Sequence, residues 1–506
     1  MFSGQPKGLF ALALANTGER FGYYTMIAVF ALFLRANFGL DPGTAGLIYS
    51  SFLGLVYFLP LFGGMMADKF GFGKMVTIGI IIMFVGYLLL SIPLGGGGVA
   101  LTAMLMALLL ISFGTGMFKG NLQVMVGDLY NDPAYAAKRD SGFSLFYMAI
   151  NIGALFAPTA AVKIKEWAEV SLGFSGNDAY HFSFAVACLS LILSIGIYYA
   201  FRGTFRHVEG GERRDKAQEA AAELTPAETR SRIVALCLVM AVVIFFWMAF
   251  HQNGLTLTYF ANEFTERSAS GIATMPFNVW NLVAVILIVY ALFSLPESRD
   301  AKSKGLCCGV VVLAVAFLVW QYTRLQGSIE LSAPIFQQFN PFYVVALTPV
   351  SMAIFGALAR KGKEPSAPRK IAYGMLVAAV AFGFMIFASA GLNTPDAQAA
   401  VVGTPAETLV SPYWLISVYL ILTFGELLLS PMGISFVSKV APPKYKGMMM
   451  GLWFAATAIG NFLVQVGGHL WGGFPLWVVW GVFMVLCVIS AVFMFSMMKR
   501  LEAATK

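Results

Sequence analysis

Residues 16–24 read NTGERFGYY, with Glu19 and Arg20 side by side inside an apolar segment that runs from about residue 8 to residue 35. A charge at the bilayer centre costs about 2.5 kcal/mol on insertion scales and more than 10 in some simulations. Such charges must be satisfied by partners or kept for a purpose. At about 100° per residue, Asn16, Glu19, Arg20, Tyr23 and Tyr24 fall within an arc of ~140°, with Phe21 off it. The helix therefore presents a polar face to a cavity or to partner helices, away from lipid. Taken alone, the doublet reads equally as a self-satisfied lock between helices and as part of a site.

The rest of the chain supplies the membrane context. Of 506 residues, 59% are hydrophobic and 11% charged, against about 25% charged in soluble domains. Apolar stretches of about 20 residues recur from end to end, each long enough to span a bilayer. Fourteen spans are expected, from 8–35 to 475–498, which makes an all-α membrane protein. The net charge of +8 forms no nucleic-acid patch. Lys69 and Lys74, Lys138 and Arg139, Arg202 to Arg232, Arg299 to Lys304, Arg360 to Lys370, Lys439 to Lys446, and Lys499 with Arg500 all fall in alternate loops. By the positive-inside rule, both termini are expected in the cytoplasm and the chain in the cell (inner) membrane. The first segment is too long and too polar for a cleaved signal, so none is expected.

The five cysteines (Cys188, Cys237, Cys307, Cys308 and Cys487) lie in apolar segments without metal-ligand spacing, and read as small buried hydrophobes. No cofactor or metal is implied.

Residues 203–231 form the one clearly polar linker and carry a short surface helix expected at 215–224. They divide the chain into an N-terminal six-helix bundle (1–202) and eight further spans. Two six-helix halves are common in secondary transporters. The surplus pair is assigned to 278–295 and 305–323, whose apolar cores lack charge and suit helices facing lipid. The second half then comprises a first helix at 232–277, an inserted two-helix hairpin at 278–326 and the remainder at 327–506.

Further polar residues recur inside the spans. In SFGTGMFKGNLQ, Ser112, Thr115, Gly116, Lys119 and Gln123 lie within about 100° of one another, and Lys119 is too deep to snorkel easily. In FSLFYMAINIGALFAP, Phe143, Tyr147, Asn151 and Ala154 share a face; interhelical glue and ligand contact are equal readings. In FFWMAFHQNGLTLTYF, Trp247, His251, Gly254 and Thr258 share a face, and His251 alone reads first as a hydrogen-bonded core imidazole. In FGELLLSPMGISF, Glu426 is a lone carboxylate aligned with Ser430 and Gly433 and must be protonated, paired or bound to a cationic ligand. Together these put two cations and Glu19 in the first half and an anion in the second. The pocket between them suits a zwitterion, because two cations around one glutamate leave a positive charge for an incoming carboxylate.

These ordered stretches resemble the proton-dependent oligopeptide transporter family of the major facilitator superfamily. NTGERFGYY resembles its ExxERFxYY helix. YFLPLFGGMMADKFGFGK, GTGMFKGN, FSLFYMAINIGAL, FFWMAFHQNG, NPFYVVALTP, GELLLSPMGIS and GMMMGLWFAATAIGN resemble its further signatures, in family order. The resemblance implies the major facilitator fold with two extra helices, and proton-coupled symport of di- and tripeptides. It also implies roles: Arg20 and Lys119 would hold the peptide carboxylate, and Glu426, Asn151 and Asn340 its amino group. Tyr24, Tyr57, Tyr147, Trp453 and Ser430 would line the pocket, and Glu19 would be a protonation site.

Three features depart from the family pattern. Asn16 stands where the motif has its first glutamate, and His251 where the seventh helix has a carboxylate. His251, with an ordinary pKa near 6.5, is the candidate replacement for proton coupling. A histidine there also resembles the family's plant nitrate branch, so a nitrate, amino-acid or other small-anion carrier is the alternative, as is an uncoupled facilitator; Glu426 opposes an anion pocket. The insertion follows the seventh helix, whereas bacterial members place it before. A membrane enzyme is the other class weighed: His181, His207, His251 and His469 have no metal or haem spacing, and no enzyme activity is expected. A peptide sensor would share the pocket and lack flux.

Overall fold

In the structure, a computed structural model, residues 4–210, 225–296, 298, 300–325, 327–442 and 445–504 are described. The expected surface helix at 215–224 and the loop charges Arg213, Arg214, Lys216, Arg299 and Lys444 lie outside the described residues. Fourteen long helices, α1–α14, follow the order of the expected spans. The first six are Lys7–Phe38, Pro42–Phe70 (broken at Leu59), Phe72–Leu90, Gly98–Asp128, Arg139–Val170 and Tyr180–Ala200. Next come α7 at Pro226–Phe250, α8 at Val279–Ser294, α9 at Ala301–Thr323 and α10 at Phe339–Arg360. The last four are Ala367–Ala388, Tyr413–Val440, Lys446–Phe462 and Leu476–Ser496. Among the described residues, thirteen spans are long and apolar enough to cross a membrane. The short helix α8 makes a fourteenth with the turn Gly271–Phe277, from which it bends by 77°.

Local chemistry sets the breaks. Gly39 ends α1 in the left-handed conformation (φ 62°), and Asp41 caps α2 by accepting from the backbone of Gly43 (2.9 Å) and Thr44 (3.0 Å), with Pro42 at the first helical position. This is the glycine-stop, aspartate-and-proline-start grammar of helix ends. Thr225 and Glu228 form a capping box at the start of α7, so this helix begins at Pro226, before the expected residue 232. It gives way to a 3₁₀ turn at His251–Gly254 and resumes at Thr256–Glu263. The continuous face expected over Trp247, His251, Gly254 and Thr258 is therefore interrupted at its centre.

Helices α1–α6 pack together: α1 on α5 and α6, and α3 on α4. In the second bundle α11 packs on α12 and α14, and α7 on α13. The bundles meet where α2 crosses α13 and α5 crosses α10. Helices α8 and α9 form the inserted hairpin, closed at its base by antiparallel strands β1 (Ser268–Ser270) and β2 (Ser328–Glu330), with Ser268 opposite Glu330. The two differ. Helix α9 buries only Ala314, as a lipid-facing helix does, while α8 packs on α10 and against α5.

The bundles are pinned at the end opposite the termini. Arg35 pairs with Glu263, which also accepts from the Trp471 indole (3.0 Å), and the Arg35 guanidinium lies over the Tyr259 ring. Gln338 accepts from Thr159 (3.0 Å), and Gln337 donates to the Ala28 carbonyl (3.2 Å). Gly46 and Gly468 bring α2 against the extension of α13 (Gln465–Leu470); a Cβ on Gly468 would lie 2.5 Å from the Pro42 carbonyl. At the other end the start of the linker is docked on the first bundle. Glu209 accepts from Arg202 (2.7 Å) and Tyr198 (3.0 Å), and its carbonyl from the Gly73 amide (3.1 Å).

Two outcomes follow. A Cβ on Gly63 would sit 2.1 Å from the Gly116 carbonyl, whereas Gly64 faces open space. Gly63→Ala is expected to cost about 1–3 kcal/mol by overpacking and to lower the thermal midpoint in detergent, while Gly64→Ala leaves it unchanged. Arg35 and Glu263 are 29% and 16% exposed, so Arg35→Ala is expected to weaken the far-end closure by about 1 kcal/mol, roughly a fivefold population shift. Distances between spin labels at Ala36 and Glu266, both exposed, would report it as added long-distance population.

Candidate functional site

The doublet on α1 closes on itself. Arg20 Nε donates to Glu19 Oε2 (2.5 Å) and Nη2 to Oε1 (2.6 Å), with the two residues 3% and 1% exposed. The guanidinium also lies 4.5 Å from the centre of the Tyr23 ring. A two-point pair of this kind offsets both desolvation penalties at once. It also consumes the charge of Glu19. Lys119 then stands apart: its Nζ lies 3.7 Å from the Tyr57 ring centre, and among the described residues no carboxylate lies within ion-pair distance of it.

The expected polar face around Lys119 is split by packing. Ser112 returns its hydroxyl to the Leu108 carbonyl (2.8 Å) and Thr115 donates to the Met83 sulfur (3.3 Å). Gly116 lies against α2, where a Cβ would approach Leu59 to 2.8 Å. Serine, threonine and glycine there serve helix contact, so the single small polar face is corrected to a lysine among packing residues.

In the second bundle Glu426 is buried in α12 with no cation within ion-pair distance among the described residues. Its Oε2 accepts from Asn340 Nδ2 (3.0 Å), which also donates to Thr423 Oγ1 (3.0 Å). Tyr24, Tyr57 and Tyr147 all lie within electrostatic range of Glu426, and Tyr24 and Tyr57 within that of Arg20. Seven predicted residues thus share one space: Arg20, Lys119, Tyr24, Tyr57, Tyr147, Asn340 and Glu426. Tyr147 is 43% exposed, as a residue on an open cavity wall is. Asn151 is buried, and its amide donates to the Tyr147 carbonyl one turn back (3.0 Å), so that donor is spent within α5. Trp453 is buried with its indole in the notch at Gly433, where a Cβ would lie 2.0 Å from the ring. Ser430 is half-buried one turn beyond Glu426.

His251 belongs to a neighbouring cluster. Its ring stacks on Trp247 (centres 5.2 Å apart, planes at 27°) and lies 6.3 Å from the Tyr57 ring. Thr258, expected on the same face, instead accepts from Gln337 (3.1 Å) and donates to the Asn253 carbonyl (3.1 Å). The 3₁₀ turn is the reason. Sequence reasoning passed over Thr423, three residues before Glu426 and so on its face, and over Asn461, at the end of the GMMMGLWFAATAIGN stretch.

The arrangement has a definite chemistry. Among the described residues, the first bundle carries an ammonium held by an aromatic face and the second a carboxylate held by an amide. Both ends are left able to bind an opposite charge.

Comparison with known proteins gives this site its setting. The family model for the POT family matches residues 73–222 and 315–470. The chain is 31% identical over 492 residues to an uncharacterised transporter, YclF, of Bacillus subtilis, covering 92% of this chain and 88% of that protein. It is 28% identical to the peptide transporter YePEPT of Yersinia enterocolitica, covering 93% and 89%, and 26% identical to a di-/tripeptide transporter of Lactococcus lactis, covering 90% and 88%. Its fold is shared with a crystal structure of a peptide transporter POT in complex with sulfate, with a TM-score of 0.73, 24% identity and coverage of 100% and 96%. With the family model matched over more than half of the chain and a 31% identical relative covered along most of its length, this multi-pass membrane protein is a member of the POT family.

Proposed function

We propose that the protein is a proton-coupled symporter that imports di- and tripeptides by alternating access, and not an enzyme. The observation that carries the reading is a Lys119 without an ion-pair partner among the described residues, set against the Tyr57 ring, which itself lies within electrostatic range of the amide-held Glu426. A short peptide is a zwitterion whose carboxylate and ammonium match these two ends. Support also comes from relatives described as peptide and di-/tripeptide transporters. Lys119, with Arg20 beside it, takes the carboxylate; Glu426 with Asn340 and Asn151 takes the ammonium. Tyr24, Tyr57, Tyr147, Ser430 and Trp453 line the space. The working units are the bundle 1–202, the linker 203–231, the helix 232–277, the hairpin 278–326 and the remainder 327–506. The protein sits in the cell (inner) membrane with both termini in the cytoplasm.

Protons enter through Glu19 and His251. While ionised, Glu19 neutralises Arg20; once protonated, it releases a second positive charge to the pocket and favours carboxylate capture. One charge crossing 100 mV yields about 2.3 kcal/mol, and a tenfold gradient costs about 1.4, so one proton sustains roughly 40-fold accumulation of a neutral peptide.

Uptake of labelled dialanine into proteoliposomes, with pH gradient and membrane potential imposed separately, tests the reading. Gradient-dependent accumulation is expected. Equilibration without accumulation would mean a facilitator, and absence of flux would transfer the case to nitrate or an amino acid measured alongside. Lys119→Gln and Glu426→Gln are each expected to weaken dialanine binding about 10- to 100-fold, the loss of one charge-assisted contact. Glu19→Gln should abolish accumulation; if it accumulated peptide as the parent does, Glu19 would have no part in coupling.

A further inference from the structure

Four buried polar atoms between α7 and α13 have no hydrogen-bond partner among the described residues: Trp247 Nε1, His251 Nδ1, and both Nδ2 and Oδ1 of Asn461. They belong to one place. Trp247 and His251 are stacked, and both the Asn461 amide and the Trp247 carbonyl come up to the imidazole, neither meeting full hydrogen-bond geometry with it. Gly460 makes the approach possible, since a Cβ there would lie 2.5 Å from the Ile244 carbonyl and 2.9 Å from Trp247 Cβ. Asn461 is 0% exposed. An unpaired buried donor or acceptor is costly in a low-dielectric interior, and four in one wedge call for a bound partner.

The chemistry of the four atoms selects that partner. With the imidazole proton on Nε2, the set is two donors (Trp247 Nε1–H and Asn461 Nδ2–H) and two acceptors (Asn461 Oδ1 and His251 Nδ1). An anion needs donors and would meet Oδ1; a cation needs acceptors and would meet the indole N–H. Water has two of each. We propose that the α7–α13 wedge is an internal water site, holding one or two waters that bridge Trp247, His251 and Asn461 and carry protons between His251 and the central pocket. This rests on the proton-coupled reading above.

The relay balances without a further reactant. A proton arriving through the water is accepted by His251 Nδ1, which turns from acceptor to donor; the waters then reorient, and Asn461 Oδ1 accepts the hydrogen they no longer give to the ring. Release reverses the same steps. The groups facing His251 are Trp247 on its own helix, Tyr57 of α2, Lys119 of α4 behind the Tyr57 ring, and the neutral Asn461 of α13; the Glu19–Arg20 pair lies beyond Lys119. Asn461 and Trp247 are positioning residues, since they act on peptide only through this water.

Two measurements on the full-length protein in liposomes test the proposal. In water-edited solid-state NMR, magnetisation is expected to pass from water to the Trp247 indole N–H, assigned by Trp247→Phe, and to fall several-fold in Asn461→Leu; no transfer in the parent protein would overturn the site. In transport, Asn461→Leu and Trp247→Phe are each expected to cut gradient-driven dialanine accumulation at least tenfold while leaving counterflow exchange within about twofold, with partial recovery in Asn461→Ser. Accumulation equal to the parent's, or exchange lost together with accumulation in both variants, would overturn the relay. A parent that shows no gradient-driven uptake would refute the symport reading and with it the relay, while the NMR still decides the water site.

Discussion

Burying Glu19 and Arg20 next to each other on α1 sets the terms for the pocket. Neither charge can face lipid, and each is stabilised by a two-point contact with the other. That contact removes one carboxylate from circulation, so Lys119, a half-buried cation, is left with an aromatic ring for company. The second bundle repeats the arrangement with opposite sign, because Glu426 is met by a neutral amide in place of a cation. Two opposite charges without an ion-pair partner among the described residues result from how each bundle neutralises, or declines to neutralise, its own charges.

The same bundles are held against each other at one end. Backbone contact at Gly46 and Gly468, the Arg35–Glu263 pair and the glutamines before α10 close the end far from the termini. These are a few polar contacts and close glycine approaches, weak enough to be exchanged and strong enough to define a state. In an alternating-access cycle this is the set of interactions that must break, and the Glu19–Arg20 pair, which lies within one bundle, need not.

Much of this was legible in the sequence. Fourteen apolar stretches, a polar linker after the sixth and a charge bias between loops follow from hydrophobic length and the cost of moving charge across a bilayer, and neither depends on tertiary contact. Glu19, Arg20, Lys119 and Glu426 announce themselves because a charge inside an apolar run must have a reason. The readings that failed were those that extended helical periodicity through places where the helix changes. The face from Trp247 to Thr258 assumed an unbroken helix, and the chain turns to 3₁₀ at His251. The face around Lys119 treated Ser112, Thr115 and Gly116 as companions, and each is spent on a neighbouring turn or helix. Small polar residues serve packing and sites alike, and one sequence carries no mark that separates the two.

The sequence by itself determined the class of the molecule, its span count and the identity of the charged groups, since these rest on composition and on transfer energies that act residue by residue. The tertiary structure decided which charge neutralises which: that Arg20 takes Glu19, that Asn340 reaches Glu426, that Tyr57 neighbours both Lys119 and His251, and that four polar atoms of Trp247, His251 and Asn461 are left over among the described residues. Pairing is a matter of a few ångströms between helices far apart in the chain. Hydrophobic periodicity fixes the face a residue occupies, and only the packed bundle fixes what that face meets.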